Sequence, residues 1–89
     1  MTLKDYEEEV LSAMYDQKLI GQEYKSIERV CSSINWTLIA RKYNVRKTCQ
    51  KVLRHLAAKG YVDLHGKAAN VASLTKLGVV YVLGKRQKS

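Results

Sequence analysis

The sequence predicts a mainly helical α+β fold, in which several amphipathic helices precede a short β-hairpin. Over residues 3–56, apolar side chains recur at positions i, i+3, i+4 and i+7, the period of a helix with one buried face. After Gly60 the period changes to the alternation that is typical of strands. Hydrophobic residues make up 46% of the 89 residues, which suffices for the core of one small domain over residues 1–89.

The first half of the chain predicts three helices. A narrow apolar stripe indicates a helix within residues 1–21, and Gly21 is suited to end it. The stripe consists of Leu3, Tyr6, Val10 and Met14. It either completes the core or pairs with a second copy of the chain, and the sequence does not separate these two roles. Similar spacing predicts a second helix over residues 22–32 and a short third helix over residues 36–43. Asn44 follows, and it tolerates the left-handed conformation of a tight turn.

The helix predicted over residues 46–59 has two opposed faces. Its apolar stripe is formed by Cys49, Val52, Leu53 and Leu56. At about 100° per residue, the opposite side of the helix carries Lys47, Lys51, Arg54 and Ala58. One face is therefore expected to pack on the core, while the other presents three cations around a small residue.

The last third of the chain predicts a hairpin and a terminal helix. Residues 61–75 alternate as two short strands joined by a turn. Residues 76–89 are expected to form a C-terminal helix and a basic tail. The valines of this segment favour a strand, so helix and strand both stay open for residues 76–84. We expect the helix because of the position of the segment after the hairpin.

Charge is distributed unevenly along the chain. The 16 Lys and Arg residues exceed the 8 Asp and Glu residues by 8. Residues 1–21 carry a net charge of −3, whereas residues 45–67 carry +5. A basic half beside an acidic helix indicates a surface directed at a polyanion such as nucleic acid. The alternative is an ordinary solvated surface.

The sequence contains no motif that is typical of an enzyme or a metal site. It lacks a Gly-rich phosphate loop, a G-x-S-x-G motif and an H-E-x-x-H motif. Its two cysteines and two histidines do not have the spacing of zinc ligands. We therefore expect no catalytic residue, no cofactor and no metal.

The two cysteines, Cys31 and Cys49, are not the disulfide framework of a small secreted protein. Both are expected to be small core residues, with an intermolecular disulfide or a thiol redox sensor as the alternative. No run of about 20 apolar residues and no signal peptide is present. We expect no membrane contact and a cytoplasmic, nucleoid-associated protein, or a nuclear one in a eukaryote.

The order of a short helix, an Asn44-Val45 turn, a basic helix and a hairpin is that of a helix-turn-helix followed by a wing. The segments IARKYNV, KVLRHLAAKGYV and SLTKLG resemble the winged helix-turn-helix domain of MarR-, ArsR- and PadR-type transcription regulators. The resemblance covers about residues 24–80. It implies that the second helix of the motif enters the major groove of DNA, and that the wing contacts the backbone or the minor groove.

Carried over to this chain, the resemblance assigns the base contacts to the helix over residues 46–59. These contacts would be made by Lys47, Thr48, Gln50, Lys51 and Arg54. Their chemistry agrees, because Gln can pair with adenine, Arg and Lys with guanine, and Thr with the thymine methyl group. The expected contacts to the DNA backbone, including those of the wing, are Arg41, Lys42, Arg46, Lys67 and Asn70.

The expected partner is double-stranded DNA, bound by a homodimer because two-fold regulators gain a second half-site. The expected dimer contacts are Leu3, Tyr6, Val10, Met14, Val79, Val80 and Leu83. Two alternatives stay open. One is an RNA-binding winged helix, as in some small basic ribosomal proteins. The other is a winged helix that serves as a protein-interaction module, in which the basic helix faces only solvent.

Overall fold

The computed structural model describes residues 3–68 and 70–87, and these residues form five helices and three strands. The predicted fold class, mainly helical with a small antiparallel sheet, is confirmed. The end of the predicted basic tail lies outside the described residues. In chain order the elements are α1 (Asp5–Asp16), β1 (Lys25–Ser26), α2 (Ile27–Ser33), α3 (Trp36–Tyr43), α4 (Cys49–Ala58), β2 (Val62–His65), β3 (Val71–Leu74) and α5 (Lys76–Gln87).

Helix α4 begins three residues later than the sequence predicts. Thr48 is its N-cap, in an extended conformation, and the Thr48 hydroxyl accepts a hydrogen bond from the Lys51 backbone N–H at 3.2 Å. Asn44 ends α3 in the left-handed conformation that was expected of it, with φ of 56°. The connection between α3 and α4 therefore spans residues 44–48, and Lys47 belongs to this turn rather than to the helix.

Strand β1 was not predicted from the sequence. Residues 22–32 were expected to be one helix, but α2 begins at Ile27, where the Ser26 hydroxyl accepts a hydrogen bond from the Arg29 N–H. The residues just before it pair with β3 in antiparallel register, Lys25 with Ala72. Since β3 also pairs with β2, the sheet order is β1-β3-β2. A two-residue strand depends on its partner strand, so local sequence carries little signal for it.

The SLTKLG segment, residues 73–78, forms the connection between β3 and α5, and its contacts explain why Thr and Gly occur there. The Thr75 hydroxyl donates a hydrogen bond to the Gly60 carbonyl at 2.7 Å and accepts one from the Gly78 N–H at 3.1 Å. Gly78 is buried against the Tyr61 carbonyl and Leu74, where a Cβ atom would collide with both. This packing places residues 76–84 in a helix, so the expected helix is confirmed over the strand.

The core lies between α1, the helices α2 to α4 and one face of the sheet. It is formed by Leu3, Val10, Leu11, Met14, Leu19, Val30, Ile34, Ile39, Cys49, Val52, Leu53, Leu56, Val62, Ala72, Leu74 and Val82. The expected apolar stripe of α4 is therefore buried, as predicted. Within the described part of the chain, none of the helices has the length and apolar content that crossing a membrane requires.

Burial contradicts part of the expected dimer interface. Leu3, Val10 and Met14 are at most 6% exposed, and Tyr6 packs edge-on against Trp36. Since their neighbours within the chain already cover these side chains, the α1 stripe completes the core and is not an exposed dimer surface. The expected dimer contacts on α5 remain accessible in part, because Val80 is 58% exposed and Leu83 is 39% exposed.

Candidate nucleic-acid interface

One surface collects most of the residues that the sequence assigns to nucleic acid. We call it the basic face, and it consists of Arg41 on α3, Arg46 and Lys47 in the turn, and Gln50, Lys51 and Arg54 on α4. All six side chains are exposed. On α4 they lie opposite the buried stripe that anchors the helix, so core packing determines which side chains α4 presents.

The cations of the basic face are free to contact a ligand. In residues 3–68 and 70–87, none of the five Lys and Arg side chains of the basic face takes part in a hydrogen bond or an ion pair. Unpaired guanidinium and ammonium groups are the donors that phosphates and guanine edges accept. A contact made by these side chains would therefore break no existing pair.

Five cationic or titratable side chains elsewhere on the surface are paired, and their partners all lie on α1; they are Lys42, His55, Lys59, Lys85 and Arg86. Among the described residues, each ion pair uses a carboxylate of Glu7, Glu8, Glu9 or Asp16. Lys85 contacts Glu8 at 3.2 Å, and Arg86 contacts Asp16 at 2.8 Å. The acidic first helix thus neutralises positive charge on its own side of the molecule and leaves the basic face uncompensated.

Lys42 belongs to the paired group, so its expected backbone contact is revised. Its Nζ atom lies 3.0 Å from Glu9 Oε1, and this hydrogen bond raises the pKa of Lys42. Glu9 also accepts a hydrogen bond from the Tyr43 hydroxyl at 2.7 Å, the main reason why the pKa of Glu9 is lowered. Lys42 therefore ties α3 to α1, whereas its neighbour Arg41 remains free.

Two other expected contacts have structural roles. The hydroxyl of Thr48 accepts a hydrogen bond as the N-cap of α4, so Thr48 has a structural role besides its expected contact with a thymine methyl group. The Asn70 side chain lies over Gly66, which has a positive φ of 96°. The Asn70 carbonyl accepts a hydrogen bond from the Ile27 N–H at 2.9 Å. Asn70 thus packs within the hairpin turn and connects it to α2, while Lys67 in the same turn is exposed.

Helix α4 and the β2–β3 hairpin meet at a cleft. The cleft has a volume of about 330 Å³ and is lined by Ser26, Ile27, Glu28, Gln50 and Asn70. The fold therefore brings one expected base contact, Gln50, beside one expected hairpin contact, Asn70. The carboxylate of Glu28 makes the cleft a poor place for a phosphate, but its amides suit the edges of bases.

A buried carboxylate beside the basic face was not predicted. Glu7 is 2% exposed and accepts a hydrogen bond from the Lys4 backbone N–H. Its carboxylate also lies 3.7 Å from His55 Nε2 and 3.8 Å from Lys59 Nζ. His55 and Lys59 are thereby oriented toward α1. The run of three glutamates did not indicate which one is buried, because burial depends on how α1 packs on α4.

A disulfide between Cys31 and Cys49 overturns the expectation of two free core cysteines. The bond is intramolecular, so it also replaces the expected alternative of an intermolecular disulfide. Cys31 lies in α2, and Cys49 is the first residue of α4. Two cysteines 18 positions apart give no pairing signal by themselves, because only packing brings their Cα atoms to 6.1 Å.

The described residues include no group of three or more metal-ligating side chains that could hold a metal ion. Comparisons with models of protein families, with curated proteins and with solved structures find no significant match. The assignment of a function therefore depends on the basic face and on the elements that present it.

Proposed function

We propose that the protein is a winged helix-turn-helix protein that binds double-stranded DNA in a sequence-specific manner, as a transcription regulator. The observation that carries the proposal is the separation of paired from unpaired cations. Lys42, Lys85 and Arg86 are neutralised by carboxylates of α1, while the Lys and Arg side chains of the basic face have no partner within the described residues. An uncompensated cationic face is suited to a polyanion, because binding releases its condensed counterions.

In this proposal α3, the turn and α4 form the helix-turn-helix, and α4 enters the major groove. Gln50, Lys51 and Arg54 are exposed along α4 and contact base edges. A Gln amide pairs with adenine N6 and N7, and an Arg fork pairs with guanine O6 and N7. The N-capped start of α4 supports this role, since it fixes the direction in which the first turn projects its side chains.

The DNA backbone is contacted on both sides of α4. Arg41, Arg46 and Lys47 precede the helix and bind phosphates of one strand, because they are exposed and unpaired. Lys67, in the turn of the hairpin, binds the backbone as the wing. The short turn and its single lysine favour a wing that adds affinity more than base recognition.

A second copy completes the proposed regulator through α5. Leu77, Val80 and Leu83 are 51%, 58% and 39% exposed and follow one another at intervals of three residues, so they share one side of the helix. Val79 packs against the core and contributes less. Two protomers related by a two-fold axis would read two half-sites, which multiplies the limited affinity of one small module.

The test is a comparison of two lysines that differ in their partners. A duplex selected from a random pool is titrated with the wild type, Lys51→Ala and Lys85→Ala at several salt concentrations. Lys51→Ala is expected to weaken binding by about 1–3 kcal/mol and to reduce the salt slope by about one. Lys85→Ala removes the same charge from the side of Glu8 and is expected to leave affinity almost unchanged.

Base recognition is tested on the same duplex. Arg54→Ala and Gln50→Ala are each expected to cost about 1–3 kcal/mol on the selected site and to relax the preference at one base position. Equal losses for Lys51→Ala and Lys85→Ala, or no effect of Arg54→Ala, would contradict the proposed groove contact. Tighter binding of structured RNA than of duplex DNA at equal salt would favour the RNA-binding alternative instead.

A further inference from the structure

The Cys31–Cys49 disulfide joins α2 to the first residue of α4. It closes a loop that contains α3 and the turn, and with them Arg41, Arg46 and Lys47 of the basic face. Cys49 stands between Thr48, the N-cap of α4, and Gln50, a proposed base contact. The bond therefore fixes the end of α4 that projects the base-reading side chains.

Helix α2 is also attached to the hairpin. The Ile27 N–H donates a hydrogen bond to the Asn70 carbonyl, and β1, just before α2, pairs with β3. Helix α2 therefore links the hairpin at one end to the start of α4 at the other, and it spans the cleft between Gln50 and Asn70. This seven-residue helix is a second connection between α4 and the hairpin, besides the direct packing of α4 on β2, and it acts on the first turn of α4.

Apart from the disulfide, α2 and α4 are held together by apolar packing in the core. Val30 and Ile34 anchor α2 in the core. Among the described residues, however, no side-chain hydrogen bond and no ion pair joins α2 to α4. If the bond were reduced, the chain could keep its core while the first turn of α4 moved relative to the hairpin.

We propose that the Cys31–Cys49 disulfide is a redox-responsive tether, and that its reduction by a dithiol weakens the sequence-specific binding of DNA by the basic face. This inference rests on the proposed function. The oxidised form holds the first turn of α4 in a fixed position relative to α2 and the hairpin, as DNA requires. The reduced form must order these elements when it binds, which lowers its affinity.

The burial of the two cysteines determines which sulfur the reductant attacks in thiol–disulfide exchange. Cys31 is half-buried, whereas Cys49 is 7% exposed, so an incoming thiolate attacks the Cys31 sulfur. The S–S bond breaks, and its electron pair leaves on the Cys49 sulfur, where the N-terminus of α4 stabilises negative charge before a proton is taken up. The second thiol of the reductant then displaces Cys31. The products are two cysteine thiols and the oxidised dithiol.

The experiment measures binding to the selected duplex and to an unrelated duplex, with the disulfide intact and after treatment with dithiothreitol. Reduction is expected to weaken binding to the selected site on the order of tenfold, because α4 is no longer preorganised. Binding to the unrelated duplex should change little, since the cations of the basic face remain. The double variant Cys31→Ser, Cys49→Ala should bind like the reduced protein and should not respond to dithiothreitol.

Circular dichroism of the reduced protein shows whether the fold persists at the temperature of the titration. A folded reduced protein with unchanged affinity for the selected site would overturn the tether. Global unfolding on reduction would also overturn it, because the bond would then hold the whole domain together.

A wild type that binds no DNA in the oxidised state would refute the proposed function, and the tether would then be judged by hydrogen exchange. Faster exchange confined to the first turn of α4 and to the hairpin after reduction would support it. Equal exchange in both states would refute it.

Discussion

At the scale of single residues, the two glycines of α5 have opposite roles. A Cβ atom at Gly78 would collide with the Tyr61 carbonyl and the Leu74 side chain, so α5 can pack against the start of β2 and the end of β3 only if this position has no side chain. At Gly84 a Cβ atom would have no neighbour within 4 Å. The same residue type is thus required by packing at one position and unconstrained at the other.

Gly78→Ala is expected to destabilise the fold by about 1–3 kcal/mol, since the neighbour that must move is backbone. Gly84→Ala is the matched control and should stabilise the protein by about 0.5–1 kcal/mol, because alanine is the better helix former. Urea unfolding followed by circular dichroism measures both changes. A destabilising Gly84→Ala, or a neutral Gly78→Ala, would contradict the position of α5.

At the scale of elements, α1 connects to α3 through the carboxylate of Glu9. The hydrogen bond from the Tyr43 hydroxyl holds the pKa of Glu9 below its ordinary value, with a smaller contribution from Lys42. A lowered pKa means that the fold favours the ionised carboxylate. The resulting stabilisation is present above the ordinary pKa of glutamate, and it is lost as the pH falls through the lowered pKa.

Tyr43→Phe is therefore expected to destabilise the fold near pH 7, where Glu9 is ionised, and to have a smaller effect once the pH has fallen through the lowered pKa of Glu9. Urea unfolding at a series of pH values between 7 and 3 measures this difference. The control is Tyr15→Phe, because the Tyr15 ring lies against Arg86 and its hydroxyl has no hydrogen bond among the described residues. A loss for Tyr43→Phe that does not vary with pH would exclude Glu9 as its cause.

At the scale of the whole molecule, the carboxylates of α1 and the cations of the basic face lie on different sides. The chain has an excess of 8 positive charges, and the carboxylates of α1 compensate positive charge near α5 and the C-terminal end of α4. The five cations of the basic face form a cluster of uncompensated charge among the described residues. Such an asymmetric field orients a polyanion before contact and speeds its association.

The proposed homodimer belongs to the same scale. Val80→Glu places a charge at the centre of the exposed stripe on α5 and is expected to convert a dimer into a monomer in sedimentation experiments without DNA. Thr37→Glu adds the same charge at an exposed position on α3 and should leave the dimer intact. A wild type that sediments as a monomer at every concentration would remove α5 as an interface.

The sequence by itself determined the mainly helical architecture, the bounds of α3, the two faces of α4 and the hairpin. These features depend on local periodicity, on a residue that tolerates positive φ such as Asn44, and on the change of period after Gly60. Each signal is contained within a few neighbouring residues, so no knowledge of tertiary contacts is needed to find it.

The tertiary structure alone decided which charges and which apolar stripes remain available. It buried Leu3, Val10 and Met14, paired Lys42 with Glu9, and joined Cys31 to Cys49. The physical reason is that the two bonded pairs lie 33 and 18 positions apart in the chain and that burial depends on neighbouring elements, so these outcomes are fixed only when the helices pack. The basic face is therefore predicted by the sequence as a pattern, and the fold brings five cations without partners together on it.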